Sequence, residues 1–396
     1  MLSILTVTTL FPNPVNPSHG SFVATRLEKL VASGEIDAEV LAPVPWLPSW
    51  FPYSPSGRLD RVPRFRMHGS LRVHHPRYLV VPKVGMMLTP HTLYSTLKFA
   101  LRELLAQGRR FDLIDAHYFY PDGVAAARLA REFGIPVVVT ARGTDLNLIP
   151  EYAIPRRMIC HAAAHADGLI TVCQALKDRL VELGTAPDNV QVLRNGVDLQ
   201  LFKPIDRQAA RARLGLTRRT LASVGWLVER KGHHHAIRAL RALPNTDLLI
   251  VGEGPERTRL ERIAVEEGVS QRVRFLGQIE QKQLPEIYNA IDALVLASSR
   301  EGWANVLLEA MACGTPVVAS AVWGTPEVVA APDAGVLMKT LDAAGVTEGV
   351  TRLFAMHRER AATRRYAEAF CWDATTQGQL ALFRQILARR QPNNSA

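Results

Sequence analysis

Between Ser298 and Val328 the residue types best suited to chemistry crowd together. A strand pattern ends at Ser299. Glu301-Gly302-Trp303-Ala304-Asn305 follows, and a helix pattern then carries Glu309. The amides of Gly302, Trp303, Ala304 and Asn305 fall at a helix N-terminus, where unpaired N–H groups and the helix dipole favour an anion or a hydroxyl-rich ligand. Glu301, just before the helix, can accept hydrogen bonds from sugar hydroxyls. Glu309, in the second turn, can accept two from a vicinal diol such as ribose. The plainer alternative is an acidic residue complementing the dipole and a second, solvated glutamate. Gly314-Thr315-Pro316 and Gly324-Thr325-Pro326-Glu327 add loops at the same sheet edge.

A second group lies in the first half. His117 ends a strand pattern in LIDAHYFYPDG (Leu113–Gly123), which also carries Asp122. Arg142 and Asp145 end the next one in VTARGTDL (Val139–Leu146), with Gly143 permitting close approach. A Pro/Gly loop, Phe11–Val23, brings Gly20 and Ser21 before the first helix. His233-His234-His235 opens a helix, so the three rings point different ways and do not converge on one ion.

The elements that position these groups alternate almost throughout. Short apolar runs and amphipathic stretches follow one another, the βαβ signature of parallel α/β layers. Strands are expected at Ile4–Leu10, Ala38–Ala42, Leu113–Ala116, Pro136–Thr140, Leu169–Val172 and Val190–Leu193. A second set is expected at Leu221–Val224, Asp247–Val251, Arg272–Leu276, Ala293–Ala297, Pro316–Ala319 and Gly335–Met338. Thr340–Ala369 and Ala374–Arg389 read as helices with no strand between them. One core rarely grows past about 250–300 residues, so 396 residues imply two domains. The expected division is a first domain at 1–198, a second at 199–370 and a C-terminal helix at 371–396 packing back on the first. Two Rossmann-like α/β halves facing a cleft is the expected architecture, with ligands at the carboxyl ends of the strands.

Composition narrows the class. Hydrophobic residues make up 47% and charged residues 21%, a globular balance. The four cysteines are spread singly, which disfavours a zinc ribbon or dithiol site. Five prolines between Val40 and Gly57 exclude a helix there, and Met1–Thr8 reads as a strand rather than a signal peptide. A soluble, cytoplasmic protein is expected.

With these residues in view, Glu301 to Glu309 resembles the E-x7-E motif of retaining GT-B glycosyltransferases of family 4. EGWANVLLEAMACGTPVVAS (301–320), SVGWLVERKG (223–232), LIVGEGP (249–255), VRFLGQI (273–279) and RNGVDLQLF (194–202) all resemble that family. HYFYPDG and TARGTD look most like a teichuronic-acid or exopolysaccharide subgroup. The resemblance implies a hexosyltransferase, EC 2.4. It implies that Glu309 binds the donor ribose, that Glu301 binds the donor sugar, and that Arg230 and Lys231 neutralise the leaving diphosphate. His117 would contact the sugar near the reacting carbon. Gly225, Gln278 and Ile279 would lie along the donor, and Gly20, Ser21, Asp122, Arg142 and Asp145 on the acceptor side. One departure stands out: many members carry an Arg directly after the Gly of this strand, and here that residue is Trp226.

The expected donor is a nucleotide-diphosphate sugar, a UDP-sugar first. The expected acceptor is a glycan or lipid-linked glycan in cell-surface polysaccharide assembly. No D-x-D ends a strand, so the expectation is metal-independent, with no cofactor. Front-side displacement with retention is favoured, the enzyme supplying position and charge. Two other classes are alternatives: a sugar phosphorylase or nucleotide-sugar epimerase on the same fold, and an anionic-polymer or nucleic-acid binder. The last rests on a net charge of +10. That charge is local. Arg58 to Arg110 holds eleven basic and two acidic residues, which is +9 of the +10. Trp46, Trp50, Phe51 and Tyr53 lie just upstream, so docking of the first domain on an anionic inner leaflet is expected, without nucleic acid.

Overall fold

The structure is a computed structural model that describes residues 1–47, 59–80, 85–356 and 358–390. It divides into two compact units. The first is Met1–Arg194 together with the chain from Asp373 on; the second is Asn195–Trp372.

Among the described residues the first unit holds one large sheet in the order β10-β9-β8-β7-β1-β2-β5-β4. Its central strands are β1 (Leu2–Val7), β7 (Leu113–His117) and β8 (Val137–Ala141). All neighbours pair parallel except β4 (Phe65–His68) and β5 (Leu71–His74), which form an antiparallel hairpin. β8 reads VVVTA and is buried along its whole length, as expected for a parallel strand covered on both faces. The chain leaves β1 toward β2 (Ile36–Leu41) on one side and returns to β7 on the other. The β1/β7 junction is therefore the topological switch point, where ligand sites form. β9 (Gly168–Thr171) and β10 (Val190–Val192) complete that side.

The C-terminal helix Trp372–Arg390 supplies part of this unit's core. Leu380, Leu382, Phe383 and Ile386 pack with Ile4, Leu27, Val138 and Ile170.

The second unit repeats the plan with β11 (Arg219–Val224), β12 (Thr246–Val251), β13 (Val273–Gly277), β14 (Ala293–Leu296), β15 (Val317–Ser320) and β16 (Gly335–Met338). The order is β13-β12-β11-β14-β15-β16, all parallel. Its switch point lies between β11 and β14. The expected helix Thr340–Ala369 is two helices, Ala343–Ala355 and Arg360–Glu368.

Between Ala42 and Arg110 the fold is richer than its sequence suggested. β3 (Val44–Trp46) pairs with β6 (Arg77–Leu79), the β4–β5 hairpin turns through Gly69-Ser70 with Gly69 at φ 57, and Gly85–Ala106 is a helix. The basic run is not one solvated face. Arg72 and Arg109 pair with Asp37 and Glu39 of β2, carboxylates outside the run. Lys98 and Arg102 close on Glu132. Arg66 donates to the Pro12 carbonyl, and Arg77 donates to the carbonyls of His75 and Val62. Arg58, Trp50, Phe51, Tyr53 and Lys83 lie outside the described residues. Trp46 is exposed. No described helix is long and apolar enough to cross a membrane.

Candidate active site

In the second unit the turn after β11 and the loop after β14 leave the sheet at its switch point. Gly225 follows β11 at φ 150, a conformation that favours glycine. Lys231 and Gly232 close the turn. Gly232 sits at φ 69, and a Cβ there would lie 1.9 Å from the Ala297 carbonyl oxygen. Only glycine lets the turn press against the end of β14. Ser299 N–H then donates to Arg230 O at 2.8 Å, stitching turn to loop.

This closure sets the charges. Lys231 Nζ lies 2.6 Å from Glu301 Oε1. Arg230 Nη1 lies 4.0 Å from the same oxygen and donates to Arg300 O at 3.2 Å. Burial pushes the Glu301 carboxyl up, but Lys231, Ser298 and Arg230 outweigh it and hold the group below the usual range. Glu301 is thus an ionised carboxylate beside the N-terminus of the helix Asn305–Ala312.

Glu309 lies in that helix and is buried. Its Oε2 accepts from Tyr288 Oη at 2.9 Å and its Oε1 from Gln281 Nε2 at 3.3 Å. Burial raises its pKa, partly offset by those two donors. A carboxylate has about four acceptor positions, so capacity for a diol remains.

The other donor-side residues divide. Gly302 and Ala304 are buried in the loop. Trp303 Nε1 donates to Asn195 O at 3.0 Å, and Asn305 Oδ1 accepts from Asn195 Nδ2 at 3.3 Å. Both side chains anchor the start of the second unit, so what they offer a ligand is main chain. Gln278 is exposed and Ile279 half-buried just after β13. Trp226 is 59% exposed beside Gly225. His233 is buried: its Nδ1 lies 2.7 Å from Ser223 Oγ and its Nε2 3.3 Å from Trp226 O. The His234 and His235 rings pack on each other at 3.9 Å. Among the described residues no three metal-ligating side chains cluster.

In the first unit the strand-end residues form a buried network. His117 and Asp115 are two apart on β7, hence on one face. His117 Nε2 lies 3.1 Å from Asp115 Oδ2. Arg142 Nη2 lies 2.6 Å from His117 Nδ1. A guanidinium only donates, so Nδ1 accepts and the proton sits on Nε2. Burial, opposed by Asp115 and aided by Arg142, lowers the His117 pKa to about 4. The imidazole is therefore neutral at pH 7. Gln379 of the C-terminal helix donates to Asp115 Oδ2 at 2.9 Å and accepts from Arg26 Nε at 2.8 Å. Burial lowers Arg26 to about 10.

Three acceptor-side expectations meet main chain instead. Asp145 accepts from the amides of Phe119, Arg142 and Gly143. Asp122 accepts from Thr9 N and Oγ1, and burial pushes it up to about 8. Both carboxyls brace loops. Gly20 caps the helix Ser21–Ala32 in the left-handed region, pressed against Leu10: a Cβ there would meet Leu10 main chain at 2.3 Å. Ser21 is half-buried. Tyr288, Gln281, Asp115, Arg26 and Gln379 were missed. Only Asp115 carried a signal, its spacing of two from His117.

Two family profiles cover most of the chain. "Glycosyl transferases group 1" matches residues 205–370, and "Glycosyltransferase Family 4" matches residues 50–201. D-inositol 3-phosphate glycosyltransferase of Saccharomonospora viridis is 33% identical over 309 residues, 70% of this chain and 71% of that protein. The protein of that name from Mycobacteroides abscessus is 33% identical over 299 residues, covering 70% and 67%. These relatives carry an inositol-phosphate name rather than a teichuronic-acid or exopolysaccharide one. Among solved structures, sucrose-phosphate synthase from Thermosynechococcus elongatus superposes with TM-score 0.82 at 22% identity, over 98% of this chain and 100% of that one. Anabaena HepE in complex with UDP does so with TM-score 0.72 at 20% identity, over 97% and 100%. The chain belongs to the group 1 glycosyltransferases of family 4 type and is a glycosyltransferase, EC 2.4, with the GT-B fold.

Proposed function

We propose that this glycosyltransferase moves a sugar, with retention, from a nucleotide-diphosphate sugar to a hydroxyl of a phosphorylated polyol such as an inositol phosphate. A UDP-sugar is the first donor to test. The observation that carries the donor reading is the Lys231–Glu301 pair at 2.6 Å, with Arg230 beside it, next to a helix N-terminus. The arrangement suits a leaving diphosphate: charge grows on phosphate oxygens as the bond to the sugar breaks, and fixed cations and amides stabilise it there. Glu301 then accepts from sugar hydroxyls and Glu309 from the ribose diol. His117 and Arg142 are assigned to the first unit's share of the reaction, as the resemblance implies. The acceptor reading is supported by the name of the bacterial relatives at 33% identity.

In the proposed step the anomeric carbon–phosphate oxygen bond breaks while the acceptor oxygen bonds the same face of that carbon. The acceptor proton passes to the departing phosphate oxygen, leaving a nucleoside diphosphate. The residues supply position and charge. Arg72, Arg109, Lys98 and Arg102 close on Asp37, Glu39 and Glu132, which lowers the charge that the basic run would offer an anionic membrane.

The test is incubation of the full chain with UDP-, GDP- and ADP-sugars, with and without inositol 3-phosphate, reading products by NMR. An axial glycoside from an axial donor is expected. Inversion, or phosphate-dependent cleavage without transfer, overturns the proposal. Transfer to a lipid-linked glycan and none to inositol 3-phosphate returns the acceptor to surface-polysaccharide assembly.

A further inference from the structure

The helix layer of the first unit holds a cavity of about 310 Å³ that shares no residue with the Asp115–His117 network. Its walls come from three helices, Gly85–Ala106, Val124–Phe133 and Ala153–His165. Val124, Ala127, Arg128 and Arg131 recur along the second helix at i, i+3, i+4 and i+7. Met158, His161, Ala162 and His165 repeat that spacing along the third, so each set forms one stripe. The two stripes line the same cavity. The alanine in the middle of each keeps it open: a leucine at either place would project into the space and narrow it.

The lining pairs an apolar floor with cations. Pro90, Val124, Ala127, Met158 and Ala162 form the floor, and Arg128, Arg131 and Arg157 stand around it. Among the described residues Arg131 and Arg157 make no ion pair or hydrogen bond. Arg128 rests 3.9 Å above the Tyr94 ring and donates to His91 Nδ1 at 3.4 Å, with no carboxylate beside it. His161 and His165 stack at 4.2 Å, and His165 Nδ1 donates to His161 O at 2.8 Å.

Neither water nor a plain anion suits such a place. Water finds few partners on an apolar floor, and an anion alone leaves that floor uncovered. The geometry points to a binding site for a phosphate monoester carrying an alkyl chain. The phosphate would sit in the guanidinium forks of Arg131 and Arg157, which match its oxygens two at a time. The chain would lie on Ala127, Met158 and Ala162. The site is independent of the donor and acceptor reading above.

Calorimetric titration of the full chain with hexyl phosphate, inorganic phosphate and hexanol tests it. Hexyl phosphate is expected to bind one per chain, at least tenfold tighter than either half alone, because charge and apolar burial add. The double variant R131Q/R157Q should lose at least tenfold in that affinity. Ala162→Leu should abolish it, with UDP binding and melting temperature unchanged as the check on folding. Equal binding of hexyl phosphate and inorganic phosphate overturns the proposal, as does undiminished binding to R131Q/R157Q. Co-sedimentation with phosphatidylcholine vesicles only when they contain phosphatidic acid, competed by hexyl phosphate, supports the site with a lipid headgroup as source. Hexyl phosphate binding without vesicle binding supports it with a soluble ester as source.

Discussion

Lys231 Nζ lies 2.6 Å from Glu301 Oε1, which joins the turn after β11 to the loop after β14 through one partly buried ion pair. Neither residue can change without leaving the other charge exposed to its neighbours alone. A charged contact to the leaving group is worth about 1.5–3 kcal/mol. Lys231→Ala should therefore lower kcat at least tenfold. Because Glu301 would be left buried with only Ser298 and Arg230 to offset its charge, the melting temperature should fall as well. Steady-state transfer assays and thermal unfolding check both, and near-wild-type turnover would remove Lys231 from the chemistry.

Glu309 is expected to act on donor affinity rather than on the chemical step. Glu309→Ala should weaken UDP binding about tenfold, measured by calorimetry, with the fold retained. Tyr288→Phe removes one donor to Glu309 and should give a smaller loss in the same direction, about fivefold. Unchanged UDP affinity in Glu309→Ala would refute the ribose role.

His117 makes a pH prediction. In the unfolded chain its ring takes a proton near 6.5; folded, not until about 4. Between those values the unfolded state binds more protons, so this group's contribution to stability falls as pH drops from 6.5 to 4. The gap corresponds to about 3 kcal/mol, at about 1.4 kcal/mol per pH step. His233 tilts the same way, and Asp122, pushed up to about 8, tilts the other way. The measurement is thus a difference. The unfolding free energy of His117→Gln should fall less steeply than wild type between pH 6.5 and 4, and parallel curves would contradict the buried neutral imidazole.

Gln379 bridges Arg26 and Asp115. Gln379→Leu keeps the volume but leaves a buried donor and a buried acceptor unmet, at about 1–3 kcal/mol each. Urea unfolding followed by the fluorescence of a tryptophan in the first unit should report a loss of that order. A change below about 0.5 kcal/mol would show that the network relaxes without it.

The alternating pattern was legible because parallel strands buried on both faces are continuous apolar runs, as in the Val137–Ala141 strand. The E-x7-E loop was legible because its helix start and both carboxylates are contiguous in sequence. What escaped follows from the same physics. The Phe65–His68 and Leu71–His74 hairpin lies at the sheet edge, where arginine and histidine alternate with apolar residues. Its charges read as a basic run because their partners, Asp37 and Glu39, come from another strand. Asp122 and Asp145 looked like ligands for an acceptor because sequence shows a carboxylate but not the amides it caps. Tyr288 and Arg26 act across the tertiary fold, which no local spacing records.

The return of the C-terminal helix has a consequence for how the chain is made. Arg26 and Gln379 are 353 positions apart, and Leu380, Phe383 and Ile386 complete the core that begins at Ile4. The second unit carries its whole core between Asn195 and Trp372. During synthesis from the N-terminus, the unit that leaves the ribosome first waits open for its last helix, while the one that follows can close. The half made first is the half finished last.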